Sequence, residues 1–140
     1  MLNQPIRSLK DTGKLVTATP QTSVAEAAAM MLAHGVGAVV VVDDGAVTGI
    51  FTEHDAVRRV IAGGRDPQAV RLGEVMTREP LTVGPDATLG HALVLMHDRA
   101  IRYLPVVENG KPVGLVLARD ALDPELEDFI SEVRRRESFR

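Results

Sequence analysis

The sequence predicts a mixed α/β chain, α+β in layout, made of two tandem β-α-β-β-α units and a C-terminal helix. Three observations predict it. Shifted by 65 positions, so that Pro20 meets Pro85, the chain superimposes on itself without a gap. Thr17, Ala27, Met31, Val41, Val42, Gly45, Gly49, Asp55 and Ala56 then fall on identical residues, and Thr12 coincides with Thr77. Within each copy, apolar residues at helical spacing give way to a run of β-branched residues. Each run ends at Asp43-Asp44-Gly45 or Glu108-Asn109-Gly110, where Asp-Gly and Asn-Gly accept the positive φ of a tight hairpin. A repeat of this length is a duplicated supersecondary unit, and it sets the fold before any single element is assigned.

The elements follow in order. A short strand around Val16-Thr17, or Leu81-Thr82, passes through Pro20 or Pro85 towards a helix. Ser23 is the first N-cap, with Glu26 three residues on in a capping-box pattern; Asp86 and Thr88 are the candidates in the second copy. The first helix, Val24 to about Ala33, turns Ala27, Met30 and Met31 inward, as Leu89, Ala92, Leu93 and Met96 do in its partner. Gly35-Val36-Gly37 ends a helix and enters a strand, the reverse of a dinucleotide fingerprint. Strands Val39–Val42 and Leu104–Val107 pair through the hairpin turns with Val47–Phe51 and Val113–Leu117. A helix from Asp55 to about Ala62 follows, stopped by Gly63-Gly64. The expected units are thus residues 8–62 and 72–122, joined by a polar linker over 63–71. Residues 123–140 form a C-terminal helix and tail. There Asp123-Pro124 supplies a cap and a first-turn Pro, Leu126, Phe129, Ile130 and Val133 make one apolar stripe, and Arg134-Arg135-Arg136 complement the helix dipole.

Composition removes several function classes. A net charge of -3 lacks the basic field that nucleic-acid binding needs, and the few aromatics give no stacking platform. Without Cys there is no disulfide framework, thiol nucleophile or common zinc site. His34, His91 and His97 have no metal-ligand spacing and read as helix-surface residues, while the methionines read as core filling. No N-terminal stretch has a long apolar core, so neither signal peptide nor membrane span is expected, and a cytoplasmic location is. No catalytic or metal-binding residue is assigned, and an enzyme is not expected.

The candidate chemistry lies in Gly49-Ile50-Phe51-Thr52-Glu53-His54-Asp55 and its echo Gly114-Leu115-Val116-Leu117-Ala118-Arg119-Asp120. Each leads from a short apolar strand to an Asp at the start of a helix. Such an Asp can bond the free N–H groups of a first helical turn, or accept hydrogen bonds from the two hydroxyls of a ribose. Thr52 precedes the first Asp by three residues, where the second copy has Leu117.

The tandem units resemble a pair of cystathionine-β-synthase (CBS) domains, a Bateman module. The resemblance rests on Val75-Met76-Thr77-Arg78-Glu79-Pro80 leading into Leu81-Thr82-Val83, on Ile101-Arg102-Tyr103-Leu104-Pro105-Val106-Val107, and on the Gly49–Asp55 stretch. It covers about Ser8 to Leu122. It implies units packed with pseudo-two-fold symmetry around two clefts for adenine nucleotides or related adenosyl compounds. It further implies that the Asp holds the ribose hydroxyls and the Thr contacts phosphate. Carried onto this sequence, the main cleft combines Thr52, His54 and Asp55 with Arg102 and Tyr103, its base pocket bordered by Thr17, Ala18 and Thr19. The second, weaker cleft combines Thr82, Val83, Gly37 and Ala38 with Arg119 and Asp120.

The resemblance implies a stand-alone regulatory module, expected to be a homodimer acting on an unidentified protein effector. AMP leads the expected ligands, followed by ADP, ATP and NAD(H). S-adenosylmethionine ranks last, because it carries a sulfonium and no phosphate for Arg102. The alternative is a structural or dimerising module with no physiological ligand, in which Asp55 is only a helix cap and Arg102 a solvated charge.

Overall fold

Residues 2–9, 15–118 and 124–138 are described by a computed structural model of the chain. Strand β1 (Thr17–Ala18), helix α1 (Val24–His34) and strands β2 (Ala38–Asp43) and β3 (Ala46–Thr52) form the first unit. A helical turn α2 (Glu53–Asp55) continues as a π-helical stretch over Ala56–Ile61. Helix α3 (Leu72–Val75) and strand β4 (Thr77–Arg78) then lead to the second unit, α4 (Leu89–Arg99), β5 (Tyr103–Glu108) and β6 (Lys111–Leu117). Helix α5 (Pro124–Ser138) closes the chain, and Asp123, its expected cap, lies outside the described residues.

The period of 65 is visible in three dimensions. Ser23 Oγ accepts from Glu26 N–H at the start of α1, as Thr88 Oγ1 does from His91 N–H at α4, so Thr88 rather than Asp86 is the cap. Gly35 and Ala100 end the two helices in left-handed conformation, with φ of 64° and 54°. The hairpins share their register down to a bulge, at Val41/Val42 in one and Val106/Val107 in the other. The expected strand at Leu81-Thr82 shrinks to a single parallel bridge, Val83 to Val106, matching Ala18 to Val41 in β1.

Strand alternation sorts the apolar residues into layers. Val39, Val41 and Phe51 face α1, packing on Val24, Ala27 and Met31. Leu104, Val106 and Val116 face α4 and meet Ala92 and Met96. The opposite faces of the two hairpins pack on each other through Ala38, Val40, Ile50 and Leu115, with Tyr103 and Leu117 beside them. The order is therefore helix, sheet, sheet, helix, with the inter-unit core in the middle.

The segments ahead of each unit are exchanged. Leu72, Val75 and Met76, which precede the second unit, are buried in the first unit's core, and β4 extends the first sheet in the order β1-β2-β3-β4. Ile6, which precedes the first unit, is 1% exposed in the second unit's core. The backbone bonds correspond: Leu72 N–H donates to Thr22 O and Gly73 N–H to Pro20 O, while Ile6 N–H donates to Ala87 O and Arg7 N–H to Pro85 O. Ile6 thus answers to Leu72, 66 positions on, so these segments are one residue out of step with the repeat. The linker is no free tether either, since Val70 is buried and its carbonyl accepts from Val24 N–H.

Helix α5 lies on α4. Ile130 is buried, and the Phe129 ring fits where Gly90 lacks a Cβ. Arg134 bonds Asp98 at 2.7 Å and holds that carboxyl below its usual value, with His97 adding to the effect. A depressed carboxyl stabilises the native fold above its unfolded value of about 4 and loses that contribution as pH falls through the folded one. Phe129 and Ile130 of the C-terminal apolar stripe are thereby used within the chain, while the Leu126 side chain lies outside what is described. Among the described residues nothing covers α1 at Leu32, which is 86% exposed.

Truncating Ile6 tests the exchange. Ile6→Ala is expected to cost about 2–5 kcal/mol in urea unfolding, the range for a buried large-to-small change. A loss under about 0.5 kcal/mol, the level of an ordinary surface substitution, would show that this segment does not hold the second core.

Candidate functional site

The Thr-x-x-Asp spacing is first of all a capping box. Thr52, not Asp55, is the N-cap: its Oγ1 accepts from Asp55 N–H at 3.2 Å, and Asp55 Oδ2 accepts from Thr52 N–H at 3.0 Å. The helix consequently starts at Glu53, two residues before the expected Asp55. The box leaves Asp55 Oδ1 facing Arg59 Nε, 3.8 Å away, with the Asp55 side chain 12% exposed. Two carboxylate oxygens offer about four lone-pair positions, so the cap does not exhaust the group.

A cleft of about 430 Å³ opens beside this carboxylate. Thr52, Glu53, His54 and Asp55 line it from the first unit, and Ala100, Ile101, Arg102 and Tyr103 from the second. The structure therefore brings five of the expected main-cleft residues together: Thr52, His54, Asp55, Arg102 and Tyr103. Among the described residues no hydrogen bond or ion pair engages the exposed Arg102 guanidinium, while Nη1 of Arg58 is 3.5 Å from Nε2 of His54.

The other wall differs from expectation. Thr17, Ala18 and Thr19 do not line this cleft, because β1 pairs with β2 at the far edge of the sheet. The exchanged β4 occupies the near edge, pairing Thr77 with Ile50, and brings Thr77, Pro80 and Leu81 into the lining. Ile50, Pro80, Leu81 and Ile101 give this side the apolar character that a flat aromatic group needs. In the sequence all four lie within the stretches that carry the family resemblance: Ile50 in Gly49–Asp55, Pro80 and Leu81 in Val75–Val83, and Ile101 in Ile101–Val107. Arg59 was also missed, although it stands four residues after Asp55 on the same helical segment.

The second cleft is described only in part, since Arg119 and Asp120 lie outside the described residues. Thr82 is exposed, and Val83 packs towards the second unit's core. Gly37 and Ala38 are buried beneath the opposite unit: a Cβ at Gly37 would overlap the Tyr103 hydroxyl and approach Glu53 Oε1 to 2.7 Å. By the repeat, Gly37 answers to Arg102 and Ala38 to Tyr103, and Glu53 N–H donates to Gly37 O as Ala118 N–H does to Arg102 O. The pseudo-two-fold relation holds for the backbone and breaks in the side chains. Among the described residues no cluster of His, Asp or Glu could hold a metal, and no helix is long and apolar enough to cross a membrane.

Comparison with known proteins matches this architecture. The family model for the CBS domain matches residues 6–62 and 72–126. An uncharacterized protein of Methanopyrus kandleri is 37% identical over 79% of this chain and 58% of its own length. The mitochondrial CBS domain-containing protein CBSX3 of Arabidopsis thaliana is 33% identical over 91% of this chain and 64% of its own. The chain thus spans less than two thirds of either relative. Among solved structures, an uncharacterized conserved protein from Pyrococcus horikoshii aligns with a TM-score of 0.76 at 35% identity, covering 89% of this chain and 94% of its own. A candidate signal-transduction protein with CBS domains from Burkholderia ambifaria aligns with a TM-score of 0.72 at 31% identity, over 91% and 90%.

The capping box yields a stability prediction that is independent of any ligand. Thr52→Val, which keeps shape and removes the acceptor, is expected to cost about 1 kcal/mol. Asp55→Asn, which retains an acceptor for Thr52 N–H, is expected to cost less than half of that in the same thermal or urea unfolding series. Equal losses would place the charge of Asp55, rather than its hydrogen bond, at the centre of the turn.

Proposed function

The chain belongs to the CBS-domain family, with two CBS domains in tandem, and from that premise we propose a regulatory module that binds an adenine nucleotide between its units without chemistry. One observation carries the reading. A nearly buried carboxylate from one unit and a guanidinium from the other, unengaged among the described residues, line the same cleft beside an apolar wall. Asp55 would accept the ribose hydroxyls, Arg102 would hold phosphate, and Ile50, Pro80, Leu81 and Ile101 would enclose the base. Thr52 and His54 stand at the phosphate side, and Tyr103 closes the cleft next to Arg102.

Among the described residues one unbonded guanidinium, that of Arg102, lines the cleft, which suits one phosphate and puts AMP first, with ADP, ATP and NAD(H) after it. S-adenosylmethionine would leave Arg102 without a phosphate. A ligand bridging both units shifts their arrangement only as far as it binds one arrangement better, and a partner protein would read that shift. The second chain of a homodimer would cover the α1 face around Leu32, exposed among the described residues, since Phe129 and Ile130 of α5 already pack on α4. The rival reading, an interaction module without a ligand, draws on the capping box, which gives Asp55 a structural task of its own.

Calorimetry of ligand-stripped protein with AMP, ATP, NADH and S-adenosylmethionine separates the two. AMP is expected to bind in the micromolar range. Arg102→Ala is expected to weaken it by about one to two decades, the worth of a charge-assisted phosphate contact, with the unfolding midpoint unchanged. No heat from any ligand would favour the interaction module. Light scattering after size exclusion should show a dimer that Leu32→Asp converts to monomer; a wild-type monomer would refute that part.

A further inference from the structure

Arg59 stands behind the cleft without lining it, next to Asp55, which does line it. Its Nε faces Asp55 Oδ1 at 3.8 Å, and its Nη1 donates to Val75 O at 2.9 Å. Val75 ends α3, and two residues later Thr77 enters the cleft wall on β4. One guanidinium therefore joins the carboxylate of the first unit to the exchanged segment of the second. Asp55 is held from two directions, Oδ2 by Thr52 N–H and Oδ1 by Arg59.

We propose that Arg59 is the positioning residue of this cleft, fixing the Asp55 carboxylate in the orientation that accepts ribose hydroxyls and tying it to the segment that carries Thr77. The assignment rests on the nucleotide reading above. Three physical arguments support it. A carboxylate oxygen at 12% exposure with a guanidinium 3.8 Å away on the next helical turn has its orientation restricted from the side that the capping box leaves open. A planar fork can serve two acceptors on different elements, which a Lys ammonium on its flexible stem does less well. The helix is wound as a π-helix over Ala56–Ile61, with Ala62 N–H donating to Val57 O, a local geometry that recurs at functional sites and shifts side chains from α-helical register. Arg58, one residue earlier, turns instead to His54 and is the natural control.

The test compares AMP with 2′,3′-dideoxy-AMP, which keeps base and phosphate but lacks both hydroxyls. Calorimetry would use ligand-stripped full chain, as wild type, Arg59→Ala, Arg59→Lys and Arg58→Ala. In wild type, AMP is expected to bind at least about tenfold more tightly than the analogue, the worth of a hydrogen bond to a charged group. Arg59→Ala should lower AMP affinity about tenfold and leave the analogue within about twofold, so the discrimination collapses. Arg58→Ala should preserve it. Arg59→Lys, which keeps a positive charge, carries the same test where Arg59→Ala fails to fold, and should also lose most of the discrimination. Equal losses for both ligands would mean that Arg59 only supports the fold, and unchanged discrimination would mean that Asp55 orients without it; either overturns the proposal. Silence of wild type towards both ligands would overturn it together with the nucleotide reading, a failure recognisable because it precedes any substitution.

Discussion

The structure depends on the exchange of the two segments that precede the repeats. Neither unit closes its own core. The first needs Leu72, Val75 and Met76 from beyond the linker, and the second needs Ile6 from the start of the chain. Each buried side chain of this size contributes about 1.5–3 kcal/mol of burial free energy, so a unit without its partner's segment would lose a large part of a marginal stability. The exchange also builds the cleft. Because β4 pairs with β3, the residues after it run past the Asp55 turn and deliver Pro80 and Leu81 to its wall.

The same constraint explains what could be read from the sequence. The repeat period, the caps at Ser23 and Thr88, both hairpin turns and the inward faces of α1 and α4 are local patterns, and local patterns survive in a linear text. The exchange is a long-range choice between two equivalent docking sites. Ile6 and Leu72 look alike in sequence, and nothing near either residue says which sheet it will join. The apolar lining beside the Asp55 turn therefore includes Pro80 and Leu81, from the segment that precedes the other unit, and not Thr17–Thr19. The family resemblance placed Thr52, Asp55, Arg102 and Tyr103 at one cleft, and the structure brings them together there. Arg59 was not legible, because its importance comes from reaching Val75, sixteen residues on and in another element.

Asp55 has an observed structural task, and the geometry leaves room for the proposed second one. A helix that begins directly after a strand leaves unsatisfied N–H groups, and the reciprocal Thr52–Asp55 pair satisfies two donors with three-residue spacing. That is why a Thr-x-x-Asp element is economical here even without a ligand. Yet a cap alone needs only one carboxylate oxygen, and an Asn would serve it. The second oxygen, the nearby Arg59 and the adjoining cavity are what a pure cap would not require.

The pseudo-two-fold axis is broken where the units meet. A large ring at Tyr103 reaches across to the opposite strand, and it can do so only because position 37 carries no side chain. Gly37 is thus the steric counterpart of Tyr103 rather than a relaxed copy of Arg102. With a cation and a phenol on one side of the axis and Gly37 and Ala38 on the other, the two halves present different chemistry from one backbone plan. Duplication supplies the frame, and divergence at a few positions next to the axis gives one cleft its charge. A change that restored symmetry, such as a side chain at 37, would have to displace the Tyr103 hydroxyl and the Glu53 carboxylate together, so the identity of this glycine is coupled to the cleft on the opposite side.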